Sequence, residues 1–361
     1  MREDGDAAPA PAPDLAPAPG SSSPPRIAVV VNGNAKNVTA EVISTLDQIL
    51  LGGDLFVSRS LEEADEIAKV VIGRGYGTVL TGGGDGTFSV MVTKVYAEAV
   101  RQGTELPRFG FLKLGTGNAL AHVVGASGSG RGDLAADIRR LRQEAGSREV
   151  GLVQVDGVLA PFCGFGVDAM VLRDYESVKR ALGGTPFERL GTGRIGYTVS
   201  SLTRSLPRSL VRGPARCRVI NRGAECFRVG GAGIVPGAPL LDGEVLFDGP
   251  ARLVGVATIP YYGYGLRAFP FAEERPDRMH LRISNLSAPA FVGHLRSIWR
   301  GEYENSAKIS DFLVQCVDIE MEPPTPFQIG GDFCRVTEHM RVMLAPRRIR
   351  LVDFYAPPSA R

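Results

Sequence analysis

A chain of 361 residues with 41 basic and 39 acidic side chains is long enough for two domains. It lacks the basic excess of a nucleic-acid-binding protein. Its 45 glycines suit a loop-rich α/β enzyme better than a helical bundle; its five scattered cysteines, with no CxxC pair, argue against a disulfide scaffold or zinc site and read as reduced cytosolic thiols.

Residues 1–25, rich in Ala, Pro, Ser and Asp, have neither the basic nor the apolar region of a signal peptide and read as a disordered tail. From Arg26 strands and helices alternate. Ile27–Val31 is a continuous apolar strand, and Val38, Val42, Ile43, Leu46 and Ile49 follow at helical spacing. Leu55–Ser58 is a second strand before a helix bearing Leu61, Ala64, Ala68 and Val71. Gly77–Thr81 is a third strand. It leads into Gly82-Gly83-Gly84-Asp85-Gly86-Thr87 and a helix with Phe88, Met91, Val92, Val95 and Ala99 on one face. Phe109–Leu114 is a fourth strand, ending in Gly115-Thr116-Gly117-Asn118 and another helix. Repeated β-α units predict a mostly parallel sheet covered by helices, which binds ligands at the carboxyl ends of its strands. A glycine-rich turn opening a helix offers backbone N–H groups to a phosphate, and Asp85 is placed for a metal or a hydroxyl proton. Asn118 also reads as a simple N-cap.

After Gly151 the pattern changes. Val153-Gln154-Val155-Asp156-Gly157-Val158-Leu159 has the strand–DG–strand form of a hairpin, and Arg216–Ile220 with Cys226–Val229 suggests another. Further strands are expected at 244–247, 253–259, 313–321, 341–344 and 349–354, with helices near 168–182, 192–206 and 289–300. The expected organisation is a tail (1–25), a three-layer α/β domain (26–150), a β-sandwich-like domain (151–345) and a C-terminal segment (346–361) that returns to the first domain. No apolar run reaches the roughly 18–20 residues needed to cross a bilayer, so the expected location is cytoplasmic, at most peripheral at the inner membrane surface.

Gly83-Gly84-Asp85-Gly86-Thr87 followed by Leu112-Lys113-Leu114-Gly115-Thr116-Gly117-Asn118 resembles the catalytic domain of the diacylglycerol, sphingosine and ceramide kinases, particularly the soluble bacterial lipid kinases. The resemblance implies an ATP-holding α/β domain, a β-rich lipid domain, and Mg²⁺-dependent transfer of the γ-phosphoryl group to a lipid hydroxyl. Carried over residue by residue, the nucleotide site would comprise Asn32, Asn34, Ala35, Lys36, Ser58, Gly83, Gly84, Asp85, Gly86, Thr87, Gly115, Thr116, Gly117 and Asn118. Gly33 and Lys36 depart from the family's N-P-x-S/A-G loop. In Gly164-Phe165-Gly166-Val167-Asp168-Ala169, Asp168 corresponds to an acid near the acceptor head group, or is a helix N-cap. Asp242 and Glu244 fall in the D-G segment associated with a structural Mg²⁺, or form a hairpin turn. Where the family has D-G-E this chain has Gly330-Gly331-Asp332. Asp332 is therefore the expected proton acceptor, with Asp85 the second catalytic candidate. Arg204, Arg208, Arg212 and Arg216 lie in an acid-free stretch that is either a solvated face or a contact for anionic lipid. The expected partners are a lipid substrate, that membrane surface and a second copy in a homodimer, with no nucleic acid. The alternatives are an NAD kinase-like enzyme, which shares a GGDGT segment, and an inactive nucleotide- and lipid-binding regulator.

Overall fold

A computed structural model describes residues 26–35, 37–50, 54–115, 118–128, 130–142, 145–166, 169–170, 213–231, 233–263 and 265–356. The first unit is the expected α/β domain. Its sheet has the order β2 (Leu55–Ser58), β1 (Ile27–Asn32), β3 (Thr78–Gly83), β4 (Arg108–Lys113), β18 (Ile349–Asp353), β5 (Gly146–Val150). The first five strands run parallel, and β5 is antiparallel to β18. Helices α1 (Ala40–Leu50), α2 (Leu61–Gly73), α3 (Asp85–Gln102), α4 (Ala119–Val124) and α5 (Arg131–Arg142) accompany it. Strands β1, β3 and β4 are central and buried on both faces, which is why they read as apolar runs without alternation.

β18 comes from the far end of the chain and lies between β4 and β5. Leu351 is fully buried there, opposite Phe109 on one side and Arg148 on the other. Beyond it Phe354 N–H donates to Val124 O at 2.8 Å, and the Arg140 guanidinium sits over the Phe354 ring at 4.8 Å. The first sheet therefore closes only when the last strand arrives.

The second unit is a curled, wholly antiparallel sheet of twelve strands. Its spine is a pair of long strands, β16 (Cys316–Ile329) and β17 (Asp332–Leu344). β8 (Phe162–Gly166), β13 (Leu253–Ala257), β14 (Met279–Ser284), β15 (Ile309–Val314), β10 (Phe227–Gly230) and β11 (Gly233–Ile234) follow from β16 on one side. β6 (Val153–Val155) and β7 (Val158–Ala160) follow from β17 on the other, while β9 (Ala215–Asn221) and β12 (Val245–Ala251) branch from the first half of β16. Two short helices, α6 (Ala288–Gly293) and α7 (Leu295–Arg300), connect β14 to β15.

The DG hairpin at Asp156-Gly157 forms with both residues at positive φ, +48° and +81°, as a two-residue primed turn requires. The second expected hairpin does not form. β9 pairs with β12 and β16, and β10 with β11 and β15, while the Asn221 side chain at the end of β9 donates to Ala224 O and Leu240 O. The single strand expected over 313–321 is two, broken at Gln315. The glycine run is also shorter as a loop than expected: Gly82 and Gly83 are the buried end of β3, and Asp85, Gly86 and Thr87 already form the first turn of α3. Apart from 169–170, the helices expected at 168–182 and 192–206 lie outside the described residues.

Helix α3 joins the units. Thr93 Oγ1 accepts from Leu159 N–H at 2.9 Å, and Tyr96 Oη accepts from Arg347 N–H at 3.1 Å. The apolar core of the first domain continues through Leu159, Phe162, Ala257, Ile259 and Phe269 of the second.

Truncating Leu351 to Ala leaves a cavity between β4 and β5. The expected loss is about 2–5 kcal/mol of unfolding free energy, read by circular dichroism in denaturant; a loss below about 1 kcal/mol would show that β18 is peripheral to the sheet.

Candidate active site

Three loops meet at the carboxyl ends of β1, β3 and β4. In the first, Asn32 Oδ1 accepts from Asn34 N–H at 2.9 Å and Asn34 Nδ2 donates to Arg59 O at 2.7 Å. Gly33 N–H donates to Ser58 O at 2.8 Å, and a Cβ on Gly33 would lie 2.9 Å from Val57 Cγ1. A proline at 33 would lose that bond and collide, which explains this departure from the family's loop. Ser58 faces Asn32 in register, and its hydroxyl donates to Ser60 O at 3.1 Å.

The loops are tied to one another by hydrogen bonds and close backbone approach. Asn32 Nδ2 donates to Thr87 Oγ1 at 3.2 Å, joining the first loop to the second. Asn37 Nδ2 reaches Gly115 O at 3.5 Å, joining the first to the third. A Cβ on Gly115 would run into Gly84 Cα and stand 2.7 Å from Gly83 O, so a glycine at 115 lets the second and third loops touch.

The strongest tie is Asp85. Its carboxylate accepts Ala119 N–H at 2.9 Å and Leu120 N–H at 3.2 Å, the first two amides of α4. The side chain is only 8% exposed. Burial raises its pKa from 3.8 to about 6 against the opposing effect of these amide bonds, so it is charged at neutral pH. This changes the expected use of the third loop: two amides that a phosphate was expected to meet are bound to Asp85. Asn118 is not a side-chain N-cap either. It adopts φ +51°, and its carboxamide turns back to Gly115, accepting from the N–H at 3.1 Å and donating to the carbonyl at 2.6 Å.

Asp332 arrives from the second domain. Gly330 and Gly331 have φ +59° and +87°, closing a two-residue primed hairpin between β16 and β17 with Ile329 opposite Asp332. Gly330 N–H donates to Phe162 O and Gly331 N–H to Gln328 Oε1, each at 2.9 Å. A Cβ on Gly330 would crowd Ser89 of α3, leaving little room for the acid of the D-G-E pattern. The turn sets the Asp332 carboxylate against Gly86, where a Cβ would collide with the carboxylate and lie 2.8 Å from its Cγ. Each helix start therefore has one carboxylate beside it, Asp85 at α4 and Asp332 at the first turn of α3.

Other expected site residues are not gathered here. Asp242 and Gly243 form an exposed turn before β12, Gly243 having φ +83°, and the Glu244 carboxylate accepts Leu241 N–H within that turn. Among the described residues no group of three or more His, Cys, Asp or Glu lies close enough to hold a metal ion, so Asp242 and Glu244 do not belong to such a set. Lys36, Thr116, Gly117, Asp168, Arg204, Arg208 and Arg212 lie outside the described residues. Arg216 is paired with Asp248 across β9 and β12, its Nε 3.1 Å from Oδ1. Its neighbours Arg218 and Arg222 lie 4.0 Å from Glu320 and 2.7 Å from Asp318.

Sequence reasoning missed Asn37, Ser89 and the His122–Tyr261 contact. Asn37 sits directly after the first loop, and Ser89, one turn beyond Asp85, bonds Asp85 O at 2.9 Å; such spacing is the only local signal either gives. His122 of α4 meets the Tyr261 ring at 5.7 Å, with burial and then Lys113 holding the imidazole below its ordinary pKa. Tyr261 lies 139 residues away in sequence, and nothing local announces that contact.

Residues 26–155 match the family model for the diacylglycerol kinase catalytic domain. Over 177 residues the chain is 28% identical to a Xanthomonas oryzae protein named "Probable lipid kinase YegS-like"; the match covers 46% of this chain and 55%, about half, of that relative. The structure of a diacylglycerol kinase from Bacillus anthracis strain Sterne has the same fold, with a TM-score of 0.56 at 13% identity, over 91% of this chain and 96% of that one. A second structure from that strain gives 0.59 at 16% identity, over 91% and 97%.

The acid of the Gly82–Thr87 segment is therefore used here to hold the start of α4. Because burial raises the Asp85 pKa, the folded state binds the proton more tightly than the unfolded chain. The ionised carboxylate thus costs stability that grows as pH rises from about 4 to 6 and then levels, on the order of 3 kcal/mol. Asp85→Asn removes that titration, so the stability of wild type relative to the variant should fall between pH 4 and 6.5 in denaturant midpoints. A difference independent of pH would refute the buried, titrating carboxylate.

Proposed function

We propose that this protein is a lipid kinase that transfers the γ-phosphoryl group of ATP to a lipid hydroxyl. What supports the reading is the convergence of three phosphate-type loops with one carboxylate, Asp332, brought by a hairpin of the other domain to the opening turn of α3. The GGGDGT turn presents helix-start N–H groups with no intrahelical acceptor, suited to phosphate oxygens. Asn32, Asn34, Ala35 and Ser58 belong to the first loop and the strand end beside it. Asp85 acts as a positioning residue, orienting α4 and keeping Gly115 against Gly84.

Asp332 is the proposed general base. An acceptor hydroxyl between the two domains would lose its proton to Asp332 as its oxygen attacks the γ-phosphorus. The bond from that phosphorus to the β–γ bridging oxygen breaks, leaving ADP. The base must come within about 2.6–3.2 Å of the hydroxyl or act through one water. Most of the acceleration then comes from positioning and from spreading of phosphoryl charge.

Phosphate transfer from labelled ATP, with Mg²⁺ present, to diacylglycerol, monoacylglycerol, sphingosine and ceramide in mixed micelles, with NAD as a further acceptor, tests the reading. A labelled lipid is expected. Labelled NAD alone would move the protein to the dinucleotide kinases, and ATP binding without any product would favour a regulatory role. Asp332→Asn should lower kcat by about 10²–10⁴-fold with little change in stability. Gly86→Ala supplies an independent check. Alanine is intrinsically favoured over glycine in a helix by roughly 0.5–1 kcal/mol, yet its methyl displaces Asp332. Turnover should therefore fall without unfolding, and a fully active Gly86→Ala enzyme would remove Asp332 from the chemistry.

A further inference from the structure

We propose that the paired helices α6 and α7 form a docking surface for an anionic lipid bilayer. The proposal rests on the lipid-kinase reading for its purpose, but it is carried by a different part of the molecule. Neither helix contains a buried residue. Phe291, Val292, Leu295 and Trp299 are 38%, 63%, 40% and 41% exposed and recur three or four residues apart across the break at His294. All four are exposed apolar side chains within one nine-residue span. Isolated apolar residues on a surface need no explanation, but four at helical spacing on an otherwise unburied element do.

The charges beside these side chains select the occupant. From Asn285 to Gly301 there is no Asp or Glu, while Arg296 and Arg300 are both exposed on α7. Arg300 is 3.9 Å from Glu302, a loose pair at the surface. An apolar face carrying a Trp and a Phe, bordered by arginines, fits the interface of a membrane: rings and aliphatic groups enter at headgroup depth while guanidinium groups meet lipid phosphates. The run of arginines after residue 188 is a weaker candidate for this contact, because its described members Arg216, Arg218 and Arg222 face acids of neighbouring strands. Among the described residues no helix is long and apolar enough to cross a membrane, so such contact would be made from the surface.

The docking face is linked to the site. Trp299 O accepts Arg267 N–H at 3.0 Å, and a Cβ on Gly301 would touch the Arg267 side chain at 3.1 Å. Arg267 belongs to the segment whose Tyr261 meets His122 on α4. Arg282 Nη1 donates to Ala268 O at 2.8 Å and is itself held by Asp311 at 2.7 Å, which fixes that segment to the sheet. A bilayer bound at α6–α7 would thus lie at the far end of the segment that meets His122 of α4.

Trp299 is the only tryptophan of the chain, so its emission reports this surface directly. Added to the full chain without ATP or acceptor, vesicles of phosphatidylcholine with phosphatidylserine should shift the emission to the blue. Brominated acyl chains should quench it, and rising salt should weaken the binding. Replacing Phe291, Val292 and Leu295 together by Ser should weaken partition by roughly tenfold or more. Activity on a micelle-dispersed acceptor and the unfolding midpoint should not change. Arg296→Glu with Arg300→Glu should abolish the preference for anionic vesicles. An unshifted Trp299 without co-sedimentation would overturn the proposal, and equal partition onto pure phosphatidylcholine would overturn its anionic part. A blue shift that follows protein concentration without vesicles would assign the face to a second copy instead. Because vesicle binding is read without turnover, its failure is distinct from failure of the kinase reading.

Discussion

The buried Asp85 carboxylate and the two α4 amides it accepts form the contact on which the site depends. A charged group in so enclosed a place is unfavourable unless its lone pairs are filled by well-directed donors, and the exposed N–H groups of a helix start supply them. The cost of burial is thereby offset by orientation. Helix α4 cannot rotate or withdraw without leaving an ion unsolvated, so the third loop keeps its place against the second. Gly84 and Gly115 then come close enough that a side chain on Gly115 would not fit, and Asn32 and Thr87 bring the first loop into the same frame.

A second constraint acts between domains. Helix α3 begins in the site and ends against the strands of the second unit, bonded through Thr93 and Tyr96 to backbone amides of that unit and of the returning chain. The same helix receives the hairpin that carries Asp332, with Gly330 seated against Ser89 and a hydrogen bond to Phe162 O fixing the turn. The position of the proposed base relative to the phosphate loops is therefore set by one rigid helix and one tight turn. Chemistry that depends on sub-ångström placement needs such supports more than it needs additional polar groups.

Much of this was legible in the residues. The parallel sheet followed from apolar strands alternating with amphipathic helices, and the glycines before each helix start marked the loops at the strand ends. The β-rich second unit and the DG hairpin at Asp156 were equally readable, since primed turns have strong local residue preferences. The second hairpin, expected between β9 and β10, was not: Asn221-Arg222-Gly223 looks like a turn locally, but the strands on either side find better partners far away in sequence.

What the sequence by itself determined is the class of each local piece: strand or helix, the phosphate-type loops, and the acids at 85 and 332. These depend on periodicity, on glycine's conformational freedom and on side-chain chemistry, all written within a few residues of one another. Only the tertiary structure decided where each of those acids sits. It sent the Asp85 carboxylate to α4, placed Asp332 over Gly86, and left Asp242 in a simple turn. It also set β18 inside the first sheet and left α6–α7 without a buried residue. Those outcomes are pairings between residues tens to hundreds of positions apart, and burial, register and hydrogen-bond satisfaction choose them only once the whole chain has packed.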